Sequence, residues 1–133
     1  MKVLAIFTCY NRRELTRQSM ELLGQNKNVT FDYVIVNDGS TDGTDEMLAA
    51  MPYEIDLING DGGLFWNRGM YEAIEHAKKA HPDYEYYMLM NDDTKFVPGI
   101  FDEMLPLFAP DKVMVGAMCG DDGRMSYLSL IHI

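Results

Sequence analysis

The sequence is poor in most features that would take it out of the ordinary globular class. It has two cysteines, Cys9 and Cys119, with no CxxC spacing, which excludes a disulfide framework and a zinc ribbon and leaves two free thiols. Its apolar runs fall far short of the ~20 residues needed to cross a bilayer, and the opening MKVLAIFTCYNRR turns polar too early for a secretory signal. The expected compartment is the cytoplasm, with peripheral attachment to the inner membrane face left open. Positive charge is scarce too: 11 Lys and Arg stand against 21 Asp and Glu, a net charge of -10. Nucleic acid and anionic surfaces are therefore disfavoured partners, and cations favoured ones. Repeats and low-complexity tracts are absent. With 133 residues and 47% apolar composition, the chain suits one domain with a real core and is too short for two.

What is present is an alternation of short apolar runs with helix-period stretches, the pattern of parallel strands joined by crossover helices. Val3 to Phe7 is a continuous apolar run suited to a strand buried on both faces, and Glu14 to Leu23 follows as a helix stopped by Gly24. Tyr33 to Val36 is the next strand, followed by a helix around Glu46 to Met51 that Pro52 ends. Glu54 to Ile58 is a third strand. The helix after it carries Met70, Ala73, Ile74 and Ala77 at i, i+3, i+4 and i+7. Tyr86 to Met90 is a fourth strand, and Pro98 falls in the first turn of a helix bearing Phe101, Met104, Leu105 and Phe108. Val113 to Ala117 reads as a fifth strand. Asp122 and Gly123 then form a hairpin turn that gives the sheet an antiparallel edge, and Tyr127 to Ile133 reads as a strand with no helix after it. The fold class is α/β.

The polar clusters gather at strand ends: TCYN after the first, NDGSTDGT after the second, NGDGG after the third, NDDT after the fourth. Open parallel sheets bind ligands at the carboxyl edge of their strands, so the four clusters converge on one site. Asn91, Asp92 and Asp93 place two adjacent carboxylates at the end of an apolar strand, where a divalent cation relieves their repulsion. Taken alone, the same residues read equally well as an acidic turn. Asp38, Ser40, Asp42 and Gly43 imitate the opening of a calcium loop, but its twelfth position is Ala49 and no helix precedes it, so that reading fails. Asp42 and Asp45 suit backbone capping, whereas Asp38, first beyond its strand, can also accept from a base or ribose. Counting from Gly60, Phe65 stands where a dinucleotide loop has its third glycine. The glycines still permit close approach of a ligand, Asn67 can cap the next helix, and Arg68 sets a cation beside phosphates. Trp66 can stack on a ring, though a core position is the plainer expectation. His76 and His81, five apart, do not share a helix face, and no histidine is assigned to a metal.

Taken together, FTCYN, VIVNDGSTDGT, NRGMYEA and LMNDDT, in this order and spacing, resemble the family 2 glycosyltransferases of GT-A fold, across the chain to about Tyr127. The resemblance implies a three-layer sandwich, a mostly parallel sheet with helices on both faces. It implies that residues 1–127 are the nucleotide-sugar-binding part, with the C-terminal part missing, and that 128–133 form a doubtful tail. It implies a donor, a UDP- or dTDP-sugar, bound with Thr8 and Tyr10 near the base, Asp38 on base or ribose, Arg68 near the phosphates and Asp92 facing sugar or ribose. Asn11, Gly63, Asn67 and Asn91 complete that donor-binding set. Asp93, with Asp92, would ligate Mg or Mn. The implied reaction is metal-dependent, inverting transfer to a saccharide or lipid-linked acceptor. In two places the chain departs from the family pattern. Asn91 stands where the family often has the first acid of its metal motif, and the family's catalytic base lies beyond the end of this chain, so the catalytic residue is unknown and Asp121 and Asp122 stay unassigned. The tail LSLIHI matches no family continuation and reads as a truncation artefact or foreign tail. Two alternatives stand beside the enzyme: a non-catalytic nucleotide-sugar-binding module, made a homodimer by pairing an unfinished edge near Tyr127 to Ile133, and a sugar-phosphate nucleotidyltransferase. The latter class expects a glycine-rich basic loop after the first strand, where this chain has TCYNRRELTRQ.

Overall fold

An apolar run can be buried on both faces only as an inner strand of a sheet covered on both sides, and the first two runs lie in that position. The computed structural model describes residues 1–116, 118–120 and 122–127. β1 (Lys2–Cys9) and β2 (Thr30–Asn37) are each buried at every position but the first. β3 (Ile55–Asn59) and β4 (Tyr86–Leu89) flank them, in the order β3-β2-β1-β4, all parallel. Cys9 lies opposite Asn37, and Asn37 opposite Asn59, so three strands end level and release their loops at one edge.

The helices follow from the order of the strands. The connections stepping outward from β1 to β2 to β3 carry α1 (Arg13–Leu23) and α2 (Thr44–Ala50) over one face. The return from β3 to β4 carries α3 (Phe65–Ala80) over the other, as right-handed crossovers require. α3 packs across β1 and β2 through the stripe expected of it: Met70, Ala73 and Ala77 are buried, and Ile74 packs at the margin of the core. Gly69 lets the helix close on β1, since a Cβ there would collide with the Thr8 side chain. α2 ends at Met51, whose backbone is extended ahead of Pro52.

Three expectations are corrected. Pro98 lies outside the helix it was expected to open: Gly99, at φ +74°, intervenes, and α4 is the short segment Ile100–Met104. A 3₁₀ turn, Leu105–Leu107, replaces the next helical turn because Pro106 offers no N–H. Residues 113–116 form no strand, and Val113 is 92% exposed. An apolar run becomes a strand only where a neighbour accepts its ladder, and among the described residues none lies beside it; Ala117 lies outside them. The hairpin does form, with Gly123 at φ +74°, but β5 (Met118–Cys119) and β6 (Met125–Tyr127) make a separate two-stranded antiparallel sheet and add no edge to the main one. The tail strand expected beyond Tyr127 lies outside the described residues. No helix among those described is long and apolar enough to cross a membrane.

His76 and His81 also depart from expectation, because they meet. Five residues apart, they would diverge on a continuous helix, but Pro82 drives His81 out of helical geometry, to φ -132° and ψ 56°. Both rings then turn to Asp56 on β3.

Candidate functional site

The loops at the carboxyl edge hold one another through side chains that satisfy helix ends belonging to other loops. The N-terminal amides of a helix have no partners within it. Asp42, in the β2–α2 turn, accepts from the Arg13 amide of α1 at 2.9 Å and from the Thr44 amide of α2 at 3.2 Å. The Thr44 hydroxyl also donates to it, and this bond holds its carboxyl below the usual range. Asn11, with φ +48°, accepts from the Thr41 amide at 2.7 Å, while its own amide donates to the Ser40 hydroxyl. The first and second loops are thereby tied together.

Asp38 does the same for α3. It is buried, and its carboxylate accepts from the amides of Gly62 (2.9 Å), Leu64 (3.0 Å) and Phe65 (2.9 Å). Gly60 must be glycine for this, since a Cβ would strike the Asp38 carboxylate. The expected cap is thus replaced: α3 begins at Phe65, so Asn67 lies inside its first turn, and a carboxylate from another loop takes the capping role. Gly63 donates its amide to Asp61. Thr8 is buried and hydrogen-bonds the Val36 carbonyl at 3.1 Å, while Tyr10, Asn67 and Arg68 are exposed at the edge.

The acidic loop after β4 is built differently. Met90 continues alongside β1, its amide donating to the Ile6 carbonyl. Next, Asn91 accepts from the Trp66 indole at 3.0 Å, Asp92 turns inward, and Asp93 faces solvent. Thr94 closes the turn onto the Asn91 carbonyl and receives the Ser19 hydroxyl from α1 on its own carbonyl. One nitrogen of the Arg12 guanidinium lies 3.2 Å from Asp92 Oδ1 and 2.9 Å from Asp93 Oδ2. Burial pushes the Asp92 carboxyl up, with Arg12 pulling against it and the Asp93 charge adding to it. Asp92 and Asp93 therefore converge on a point already held by a cation, while Asn91 stands beside them on the Trp66 indole.

The chain as a whole also resembles a known family. The model described as Glycosyl transferase family 2 matches residues 5–128. The chain belongs to glycosyl transferase family 2. No curated protein matches it. Its mostly parallel sheet with helices on both faces is the GT-A architecture.

Within this family 2 domain, sequence reasoning missed Arg12 and misjudged Trp66. Arg12 stands next to the acids only because β4 pairs with β1, some 80 positions away in sequence. Its visible signal was the basic pair Arg12 and Arg13 directly after the first strand cluster. Trp66 is 56% exposed and no core residue. Phe65, at φ +53° and 77% exposed, stands beside it in a backbone region that an aromatic residue seldom occupies. Tyr10 is exposed as well, and of the three aromatics Trp66 touches the acidic loop, through Asn91. Cys9, by contrast, is buried, and burial pushes its thiol up to about 12, which favours the neutral thiol of a core residue.

Proposed function

We propose that this domain binds a UDP- or dTDP-sugar through Mg or Mn held by Asp92 and Asp93, and transfers the sugar with inversion to a saccharide or lipid-linked acceptor. The observation that supports this most is the convergence of the two carboxylates on one guanidinium nitrogen. Carboxylates that already meet at a cation, one of them destabilised by burial, form an all-oxygen donor set suited to a hard divalent ion. Such an ion, when bound, would supply neutralisation of the departing diphosphate.

The chain's own residues do the rest. Arg12, released from the acids, and exposed Arg68 offer guanidinium groups for diphosphate oxygens. Tyr10, Phe65 and Trp66 offer ring faces to a base or sugar. Thr8, Asn11, Gly63, Asn67 and Asn91 complete the donor face. Asp38 acts on the nucleotide through the loop it fixes, and its Oδ1, which accepts from the Gly62 amide, keeps a second lone pair for a base or ribose donor. In the transfer, the acceptor hydroxyl oxygen attacks the anomeric carbon, the bond from that carbon to the diphosphate oxygen breaks, and the hydroxyl proton passes to a base.

Calorimetric titration of UDP with Mn²⁺ and with chelator tests the proposal. Binding is expected with the metal, lost with chelator and weakened at least about tenfold in Asp93→Ala. Binding unchanged by either would overturn the metal assignment.

A further inference from the structure

Far from the acidic loop, the opposite end of α3 gathers three side chains able to ligate an ion. Asp56 is the second residue of β3, which is paired only with β2 in the main sheet. His76 comes from the last turns of α3, and His81 is the residue that closes it, its amide bonded to the Ala77 carbonyl at 2.9 Å. The Nε2 atoms of His76 and His81 stand 2.6 Å and 2.9 Å from the same oxygen, Asp56 Oδ2, and the three ligand atoms lie within 4.8 Å of one another. The arrangement is partly supported from behind: the Tyr87 hydroxyl donates to the His81 carbonyl at 2.6 Å, and Tyr84 packs edge-on against the His81 ring at 5.9 Å.

We propose that Asp56, His76 and His81 form a cation site, separate from the acidic loop, for one zinc-class divalent ion. Donor chemistry makes the choice. Two imidazole nitrogens and one carboxylate suit a borderline ion such as Zn²⁺ and suit Mg²⁺ or Ca²⁺ poorly, since those prefer all-oxygen surroundings. In a tetrahedral zinc site with bonds of ~2.0 Å, neighbouring donors stand roughly 3.3 Å apart. Hydrogen-bonded as they now are, the His76 and His81 nitrogens stand about 0.7 Å and 0.4 Å closer to Asp56 than that, so movements of the rings on this scale admit the ion. The side chains are 29–39% exposed, so the ion can enter from solvent, and water takes the fourth position. Two ligands belong to α3 and its cap and the third to an edge strand, so binding clips the end of the helix to the sheet.

The site is tested with Zn²⁺ alone, on chelator-treated protein at pH 7.5 without nucleotide. Calorimetry is expected to show one ion per chain, with affinity reduced at least about tenfold in His76→Ala, His81→Ala or Asp56→Asn and unchanged in Asp93→Ala. Cys119 is an exposed thiol, so Cys119→Ser is titrated alongside and is expected to match the wild type. Should a histidine variant fail to fold, long-range ¹H–¹⁵N spectra of the wild type decide the matter. Zn²⁺ should shift the Nε2 resonances of His76 and His81. Absent Zn²⁺ binding, binding abolished by Asp93→Ala, or unmoved His76 and His81 resonances would overturn the proposal.

Discussion

The turns after β2 and β4 both place a buried aspartate at the same edge of the sheet, and the two carboxylates are satisfied in opposite ways. Asp38 accepts from three backbone amides. Those donors belong to the start of α3 and the loop before it, and they cannot leave without unravelling both. Asp92 has a guanidinium on a flexible stem, from a side chain 49% exposed, and shares it with exposed Asp93. A donor of that kind can swing away and let another cation take its place. The difference separates an acid that builds the site from acids that are available to a ligand, although both kinds occupy equivalent places after apolar strands.

The largest effect expected from this contrast is on Asp38→Ala. It leaves three amides without their partner, each charge-assisted bond being worth roughly 1.5–3 kcal/mol. Allowing for water reaching part of the loop, the variant should lose about 3–5 kcal/mol in urea unfolding. A loss within about 1 kcal/mol would break the distinction, because the amides would then have had another acceptor.

Asp93→Ala is the counterpart. Its ion pair is exposed and should contribute no more than about 1 kcal/mol to folding, so the urea midpoint should hardly move. Mn²⁺-dependent UDP binding should nevertheless weaken by at least about tenfold, or ~1.4 kcal/mol. If stability falls as far as in Asp38→Ala, Asp93 belongs to the scaffold after all.

Asp92 stands between the two, and pH tells which it resembles. Its carboxyl is raised above the ordinary 3.8, burial being the main cause, so the folded chain holds this proton more tightly than the unfolded one. Stability from this group is therefore greatest below 3.8 and declines as pH rises through the raised value. Asp92→Asn should remove that decline and gain on the wild type across the window in urea titrations at stepped pH. An Asp92→Asn variant whose stability tracks the wild type at every pH would show that Arg12 fully compensates the burial.

How far these roles could be read from sequence depends on distance along the chain. β1 and β2 announce themselves because burial on both faces demands unbroken apolar residues, and α3 because its stripe repeats at helical spacing over Met70, Ala73, Ile74 and Ala77. The gathering of four loops follows from parallel strands alone. The partners within that gathering do not. Local capping rules point to Asn67 for α3, yet the acceptor is Asp38, 24 to 27 positions earlier. Arg12 reaches the acids only through the neighbouring of β1 and β4. Val113 to Gly116 fails for a related reason: a strand needs a partner, and hydropathy says nothing about whether one is beside it. The meeting of His76 and His81 was missed because helical spacing was applied past the point, marked by Pro82, where it ceases to hold.

The smallest expected effect tests whether the two regions act together. Trp66, next to the Phe65 whose amide Asp38 holds, donates its indole N–H to Asn91 in the acidic loop. The scaffold on one side thereby touches the acidic turn on the other through the Trp66 side chain. Trp66→Phe keeps an aromatic ring face, though a smaller one, and removes the donor. Because the bond is exposed, its loss should cost about 0.5 kcal/mol or less in folding, at the low end for a hydrogen bond. If that bond holds Asn91, and with it the acids, in place, a similar energy should appear in Mn²⁺-dependent UDP affinity, as a loss of about two- to threefold. Asn91→Ala should then reproduce the loss, and adding it to Trp66→Phe should change nothing further, since both remove the same bond. Additive losses in the double variant would show that the acidic turn is positioned by Arg12 and Ser19 alone, and that Trp66 meets the ligand through its ring.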